Sequence, residues 1–256
     1  MRIRVIGSGS SGNALLVRAG GRTILIDAGV ALSRIEAGCR AEGVTPESID
    51  ALFVSHEHTD HAGAAALLSK RHRVPVWCSA ETAEGIARSG RPLPRPEPLA
   101  PGAEADLGRL RVRSFSIPHD APNVGFRIEA DGFAAGVATD LGHAPAGIEE
   151  GLADCDALLL ESNYDEALLQ RSRYPAWLRA RIAGREGHLS NAQTGALAVR
   201  CVTARTRHLL LLHVSENTNS PVHARDAARR ALDAAGRSSV LVQVAARHGA
   251  PEALAL

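Results

Sequence analysis

The sequence lacks the features of a secreted, membrane-bound or disulfide-stapled protein. Its four cysteines, Cys39, Cys78, Cys155 and Cys201, are scattered with no CxxC pair and no framework spacing, so they read as buried thiols in a reducing compartment. No apolar run is long enough to span a membrane. The opening MRIRVIG leads straight into a strand-like stretch, without the long hydrophobic core of a signal peptide. The expectation is a cytoplasmic protein that does not engage membranes. Charge of one sign is missing too: 29 basic residues face 28 acidic ones, a formal net charge of +1. That balance gives no global attraction for nucleic acid, although a local basic face is not excluded. Nearly all the basic residues are arginine, the side chain that grips phosphate bidentately, but a GC-rich genome produces the same bias. No short-period repeat is visible. The glycine-rich GSGSSGN at 7–13 is not a phosphate loop, because no Gly-Lys-Ser/Thr follows and a strand rather than a helix comes next.

What is present is an ordinary globular composition, 45% hydrophobic and 22% charged over 256 residues. Apolar runs IRVIG, ALLVRA and RTILIDAG predict three successive strands, and ALSRIEAGCRAEG predicts a helix ending at Gly43. DALFVSH is another strand, followed by an alanine-rich helix after His61. RPLPRPEPLAPG, 91–102, has too many prolines for regular structure and reads as a surface loop, since strands resume at once in LRVRSFSI, VGFRIEADG and FAAGVATDLG. The second half alternates strand and helix: ALLLESN, helices around Tyr174–Ala183 and Asn191–Ala204, HLLLLHVS, a helix over Ala224–Ala235, and SVLVQV. This pattern predicts an α/β sandwich with helices outside two sheets. The two halves share a strand-heavy then helix-heavy rhythm, a hint of duplication.

The stretch VSHEHTDHAG, 54–63, carries the densest chemistry. His56 and His58 are two apart in an extended segment leaving a strand, so their rings point to one side, and Asp60 and His61 follow within a turn. Four N and O ligands of the kind accepted by zinc, manganese or iron lie within six residues. The alternative is a polar helix start capped by Asp60. A local cluster needs further ligands from other directions, and His119, Asp140 and His213 each stand at the exit of an apolar run.

These motifs, IDAG, SHEHTDH, a lone His, a TD aspartate and a late His, resemble those of the metallo-β-lactamase fold hydrolases over essentially the whole chain. Within that superfamily the chain is more similar to the YycJ/WalJ-type group of 5′→3′ DNA exonucleases, through GSGSSGNALLV, LLLESNYD, YPAWLRARI, GHLSN and LLHVSENTN. Tyr164 stands where that group's pattern has histidine, and VSENT departs from LSEEN. The resemblance implies one αββα domain over 1–256, two mixed β-sheets with helices on the outer faces. It implies two divalent metal ions, zinc or manganese with iron acceptable. His56, His58 and His119 would hold the first, Asp60, His61 and His213 the second, and the Asp140 carboxylate would bridge them. A water between two such ions is acidified toward a pKa of about 7, giving a hydroxide nucleophile. Asp27 is expected to accept a hydrogen bond from a cluster histidine rather than bind metal, the alternative being a turn-forming aspartate.

Glu161 and His188 separate nucleases from other hydrolases of this kind. In the resembling enzymes a glutamate and a histidine at these places protonate the leaving oxygen, so Asp60, Glu161 and His188 are the expected catalytic residues. The competing reading of His188 is a helix-entry residue with Ser190 or Asn191 as cap. The hydroxyls of Ser10 and Ser11 with Asn13 could donate to phosphate oxygens, and Asn163 and Asn191 complete the expected substrate contacts, a tight turn being the alternative for the glycine-rich stretch. His72, His143, His208, His223 and His248 read as surface or structural, with His143 the nearest to Asp140 in sequence. DNA is the expected substrate, with RNA as a further option. The main alternatives are a phosphodiesterase for cyclic or nucleotide diesters and a non-catalytic metal-dependent regulator. A second domain of the β-CASP type has no room in 256 residues, and no glycine-rich tRNA-binding arm is visible.

Overall fold

A computed structural model describes residues 1–248 and 253–256. Strands β1 (Arg2–Gly7), β2 (Ala14–Ala19) and β3 (Arg22–Ile26) form an antiparallel meander. The chain then crosses through α1 (Leu32–Ala41) to β4 (Ala51–Phe53), which pairs parallel to β3. After α2 (Thr59–Ala62) and α3 (Ala65–His72), β5 (Val76–Cys78) continues the parallel run. Helix α4 (Ala80–Arg88) has no counterpart in the sequence reading; Ser79 caps it by accepting from Thr82 N–H. The proline-rich 91–102 stretch is not loop throughout, because Glu97–Pro98 forms β6 on the edge beside β5. Proline is tolerated there because an edge strand leaves one row of backbone groups unpaired.

The second sheet repeats the plan. Strands β7 (Glu104–Asp106), β8 (Leu110–Ile117), β9 (Asn123–Ala130) and β10 (Phe133–Ala138) run antiparallel. Then, past α5 (Glu149–Leu152), β11 (Ala157–Glu161) pairs parallel to β10. Helices α6 (Glu166–Arg171), α7 (Ala176–Ile182) and α8 (Asn191–Cys201) precede β12 (His208–Leu212), and α9 (Pro221–Ala234) leads to β13 (Leu241–Val244). Strand β14 (Leu254–Ala255) returns to the first sheet beside β1. Among the described residues the orders are therefore β14-β1-β2-β3-β4-β5-β6 and β13-β12-β11-β10-β9-β8-β7. In each, three antiparallel pairings give way to three parallel ones, so the shared rhythm of the two halves is a shared topology.

Three cores fix the layers. Between the sheets lie Phe53, Phe126, Ile128, Leu159 and Leu210. Ile35, Leu68 and Ile86 press α1, α3 and α4 onto the outer face of the first sheet. Leu152, Leu197, Cys201, Ala228 and Leu232 do the same for α5, α8 and α9 on the second. This is the αββα arrangement the alternating pattern predicts. Strands buried on both faces, such as β11 and β12, read as unbroken apolar runs for that reason. Their carboxyl ends, with those of β3 and β4, open onto one edge of the sandwich.

Candidate metal centre

The ligand-type residues stand where those strands end. Asp27 follows β3, His56 follows β4, His119 follows β8, Asp140 follows β10, Glu161 closes β11 and His213 follows β12. Asp27, Asp140 and His213 have φ of 60°, 56° and 53°. That left-handed conformation is costly for residues with a Cβ and collects at functional sites. Asp27 and Asp140 also hold equivalent places in the two halves, each at the strand where antiparallel pairing gives way to parallel.

Asp27 organises the histidine loop. Its Oδ1 accepts from Ser55 N–H at 2.8 Å, and its Oδ2 lies 3.0 Å from Ser55 Oγ and 2.7 Å from His61 Nδ1. With Nδ1–H donated to a carboxylate, the lone pair of His61 resides on Nε2. That atom lies 2.8 Å from Asp140 Oδ2 and 3.7 Å from Asp60 Oδ2. His213 Nε2 lies 3.5 Å from Asp60 Oδ2 and 3.6 Å from Asp140 Oδ1. The rings of His56, His58 and His119 enclose a second point, with centroids 4.6, 5.2 and 5.2 Å apart. Ligand atoms of His56, His58 and His119 lie within 4.8 Å of one another, as do those of Asp60, His61 and His213, and Asp140 joins His56 and His61 in a third such group.

The electrostatics favour a cation. Burial, reinforced by His61, holds the His56 pKa well below the usual histidine range, which leaves a neutral ring with a free lone pair. For His213, burial opposes the charged form, but Asp140, Asp60 and Glu161 outweigh it and push the pKa up to about 10. The same contest, won by Asp140 and Asp27, raises His61 well above its ordinary value. A field that draws protons so strongly also draws a metal ion. The buried His56 Nε2 makes no hydrogen bond among the described residues, Asp140 Oδ2 is approached by the His61 ring, and a buried polar atom without a partner is costly. Imidazole nitrogens and carboxylate oxygens converging on these points fit a divalent ion of the zinc, manganese or iron type.

Beside this cluster, His188 Nδ1 lies 2.6 Å from Glu161 Oε1 and 3.5 Å from Asp140 Oδ1. Glu161 is buried and its Oε2 accepts from Leu141 N–H, so the carboxylate is immobilised. Burial disfavours the charged His188 ring, but Glu161 and Asp140 outweigh it, and the His188 pKa is raised. Ser190 caps α8 in a reciprocal capping box with Gln193. The cap belongs to Ser190, which leaves His188 free to face a cavity of about 170 Å³ with Ser10, His58, Asp60, His119 and His213. Asp60 does not cap α2 either; His58 occupies that position without a side-chain bond.

The residues expected to contact substrate are engaged within the protein to different degrees. Asn13 is buried, its Oδ1 accepting from Gly9 N–H and its Nδ2 lying 3.2 Å from Asp60 O and 2.9 Å from His61 Nε2. Asn163 is spent on His213, through Nδ1 and the backbone oxygen. Asn191 bonds Ser162 and Asn219 beneath the strand ends. All three amides are buried and hydrogen-bonded to other groups of the protein. Ser11 receives Arg247 Nε, away from the cavity, whereas Ser10 lines it. The glycine-rich stretch packs against the histidine loop: a Cβ on Gly29 would sit 1.6 Å from Asp60 O, and one on Gly12 2.5 Å from Gly29 O. His143 is turned toward Arg185, bonding its backbone oxygen and guanidinium.

Three residues at the site escape sequence reasoning. Ser55 precedes the histidine motif directly and could have been read as part of it. Asp120 follows His119 and places Oδ1 3.2 Å from His119 Nε2 and 3.6 Å from His58 Nε2. Arg181, on α7, reaches across to Asp120 with Nε at 3.0 Å, and nothing in its local sequence signals this.

Residues 22–214 match the family described as Beta-lactamase superfamily domain. The chain is 26% identical over 239 residues to the exodeoxyribonuclease YycJ of Bacillus anthracis, covering 92% of this chain and 90% of that protein. It is 27% identical over 220 residues to the exodeoxyribonuclease WalJ of Streptococcus pneumoniae, covering 84% and 82%. Among solved structures, the metallo-β-lactamase fold protein YhfI from Bacillus subtilis superposes with a TM-score of 0.74 at 18% identity, over 96% of this chain and 97% of that one. Because the family match starts with β3 and ends just past His213, it takes in all eight clustered histidines and aspartates, and the chain belongs to the beta-lactamase superfamily.

Proposed function

We propose that this chain is a metal-dependent phosphodiesterase that removes nucleotides from DNA ends, in the 5′→3′ direction. The observation that carries the reading is the His188–Glu161 pair, 2.6 Å apart, set beside Asp140 in the same cleft as the clustered ligands. A phosphodiester has a poor alkoxide leaving group, and a positioned acid contributes typically about 10²–10⁴-fold there. The similarity to two exodeoxyribonucleases over most of both chains supports the same reading.

In this assignment His56, His58 and His119 would hold one divalent ion and Asp60, His61 and His213 a second, with the Asp140 carboxylate available to either. Such ions, when bound, acidify water toward neutral pH and draw charge from a phosphoryl oxygen. Asp27 fixes the His61 tautomer, and Asn163 steadies His213. Asp60, at the mouth, orients the nucleophilic side, while His188, its Nδ1 held by Glu161, delivers a proton from Nε2 to the departing oxygen.

Incubation of 5′-labelled and 3′-labelled single- and double-stranded DNA, the matching RNA, and bis(p-nitrophenyl) phosphate with manganese and zinc in turn tests the proposal. Stepwise release of nucleotides from DNA 5′ ends is expected. Hydrolysis of small diesters with no action on any polynucleotide would favour a small-molecule phosphodiesterase instead.

A further inference from the structure

Helix α7 has no buried residue, so its contacts with the sandwich are few and specific. It is tied at both ends: Asn217 Nδ2 donates to Tyr174 Oη at 2.8 Å, and Arg181 clasps Asp120 beside His58 and His119. The helix therefore lies across the mouth of the metal cleft, which Arg181, Ile182, Gly187 and His188 help to line. The stretch 171–188 is also the place where positive charge gathers in a nearly neutral chain. Arg171, Arg173, Arg179, Arg181 and Arg185 face only Glu186. Arg171 and Arg173 are exposed and make no hydrogen bond or ion pair among the described residues. Between these arginines Trp177 stands 66% exposed, the most open of the large hydrophobic side chains.

We infer that α7 is a platform for a single-stranded DNA end, with the Trp177 indole stacking on a nucleobase and Arg173 contacting the backbone as the strand enters the cleft. This rests on the phosphodiesterase reading above. Trp177 and Arg181 are one turn apart on the same helix face, their Cβ atoms about 5–6 Å from each other. A base on the indole is thus within reach of a nucleotide in the cleft. Exposed aromatic rings interleaved with arginine bind single strands, because every base offers a π-face and every linkage a charge. A duplex end would keep its bases stacked on one another, and the cavity beneath α7 is only about 170 Å³. A second copy of this chain would bring like-charged arginines together across a twofold, which disfavours that occupant.

Binding and turnover of a short 5′-labelled single-stranded DNA by wild type, Trp177→Ala, Trp177→Phe and Arg173→Ala test the inference. Trp177→Ala should weaken binding about 10-fold or more and raise KM rather than lower kcat. Bis(p-nitrophenyl) phosphate hydrolysis should stay within about twofold, because that substrate carries no strand to stack. Trp177→Phe should keep most of the affinity. Quenching of tryptophan fluorescence by the oligonucleotide should vanish in that variant, whose remaining indole, Trp77, is partly buried in the sandwich. Arg173→Ala should lower the slope of log affinity against log salt by about one. Unchanged DNA binding by Trp177→Ala overturns the platform, as does a change of molecular mass in solution, which would make α7 a contact between copies. Equal losses on DNA and the small diester also overturn it, since the substitution would then act on the centre itself. A wild-type protein that hydrolyses the small diester but neither binds nor cleaves any polynucleotide would defeat the nuclease reading, a result distinct from these.

Discussion

Glu161 holds His188 by Nδ1 at 2.6 Å, and that single contact turns the outer nitrogen of the ring toward the cleft. Both Glu161 oxygens are engaged, one by His188 and the other by Leu141 N–H. The carboxylate can fix the ring's tautomer and direction without itself meeting substrate.

If His188 protonates the leaving oxygen, its loss should matter far more for a basic leaving group than for a weakly basic one. His188→Ala is expected to lose about 10²–10⁴-fold in kcat on DNA, roughly 3–5 kcal/mol, and much less on bis(p-nitrophenyl) phosphate. Equal losses on the two substrates in a metal-replete variant would rule the histidine out as the acid.

Two divalent ions per chain are expected by elemental analysis of the fully loaded protein, and fewer in Asp140→Ala, because Asp140 contacts the ligand groups on both sides. Chelation should lower the thermal midpoint, since an ion bound only by the folded state stabilises it. A single ion in the loaded wild type would sink the dinuclear arrangement.

Asp27 accepts from Ser55 N–H, Ser55 Oγ and His61 Nδ1 without standing among the clustered ligands. Asp27→Asn should reduce metal affinity by about 10–100-fold while leaving the far-ultraviolet circular dichroism unchanged. Unaltered affinity in a metal-competition titration would show that Asp27 only shapes the turn.

Gly29→Ala probes the packing of the two loops. Its Cβ would lie 1.6 Å from Asp60 O, so the histidine loop must move. A loss of about 2–4 kcal/mol in denaturant unfolding is expected, together with weaker metal binding. Wild-type values for both would mean the loops are not tightly coupled.

An acid-sensitive contact lies far from the centre. Glu42 accepts from Arg2 and Arg4, and although burial works against its charge, these hydrogen bonds lower its pKa below the ordinary glutamate value. A carboxyl with a depressed folded pKa adds stability that is present above its unfolded pKa and is lost as pH falls through the folded value. Glu42→Gln should therefore destabilise the protein at pH 7, and the gap from wild type should narrow as pH falls from about 4.3 through the lowered folded pKa. A gap that persists undiminished in acid would assign the effect to packing rather than to charge.

The αββα class was legible in the sequence because period-2 and unbroken apolar runs alternate with amphipathic ones, and burial of those faces leaves few arrangements. Helix α4 and strand β6 were not. Both depend on what lies beside them: α4 on Ile86 meeting the first sheet, β6 on the free edge of β5.

Seven metal-type residues are legible in the chain alone because four share one short motif after an apolar strand and His119, Asp140 and His213 each follow a strand of their own, local properties of the sequence. Local sequence says nothing about which strand ends share an edge. That was decided by two sheets with parallel halves opening the same way, which bring His56, His119, Asp140 and His213 together from segments far apart in sequence. Nor can spacing distinguish an amide that meets substrate from one that supports a ligand. Asn13, Asn163 and Asn191 have the chemistry for either task, and only the tertiary structure buries them with hydrogen bonds to other groups of the protein. Arg181 shows the converse: an exposed helix residue gains its place at the site only because α7 is drawn across the cleft to Asp120.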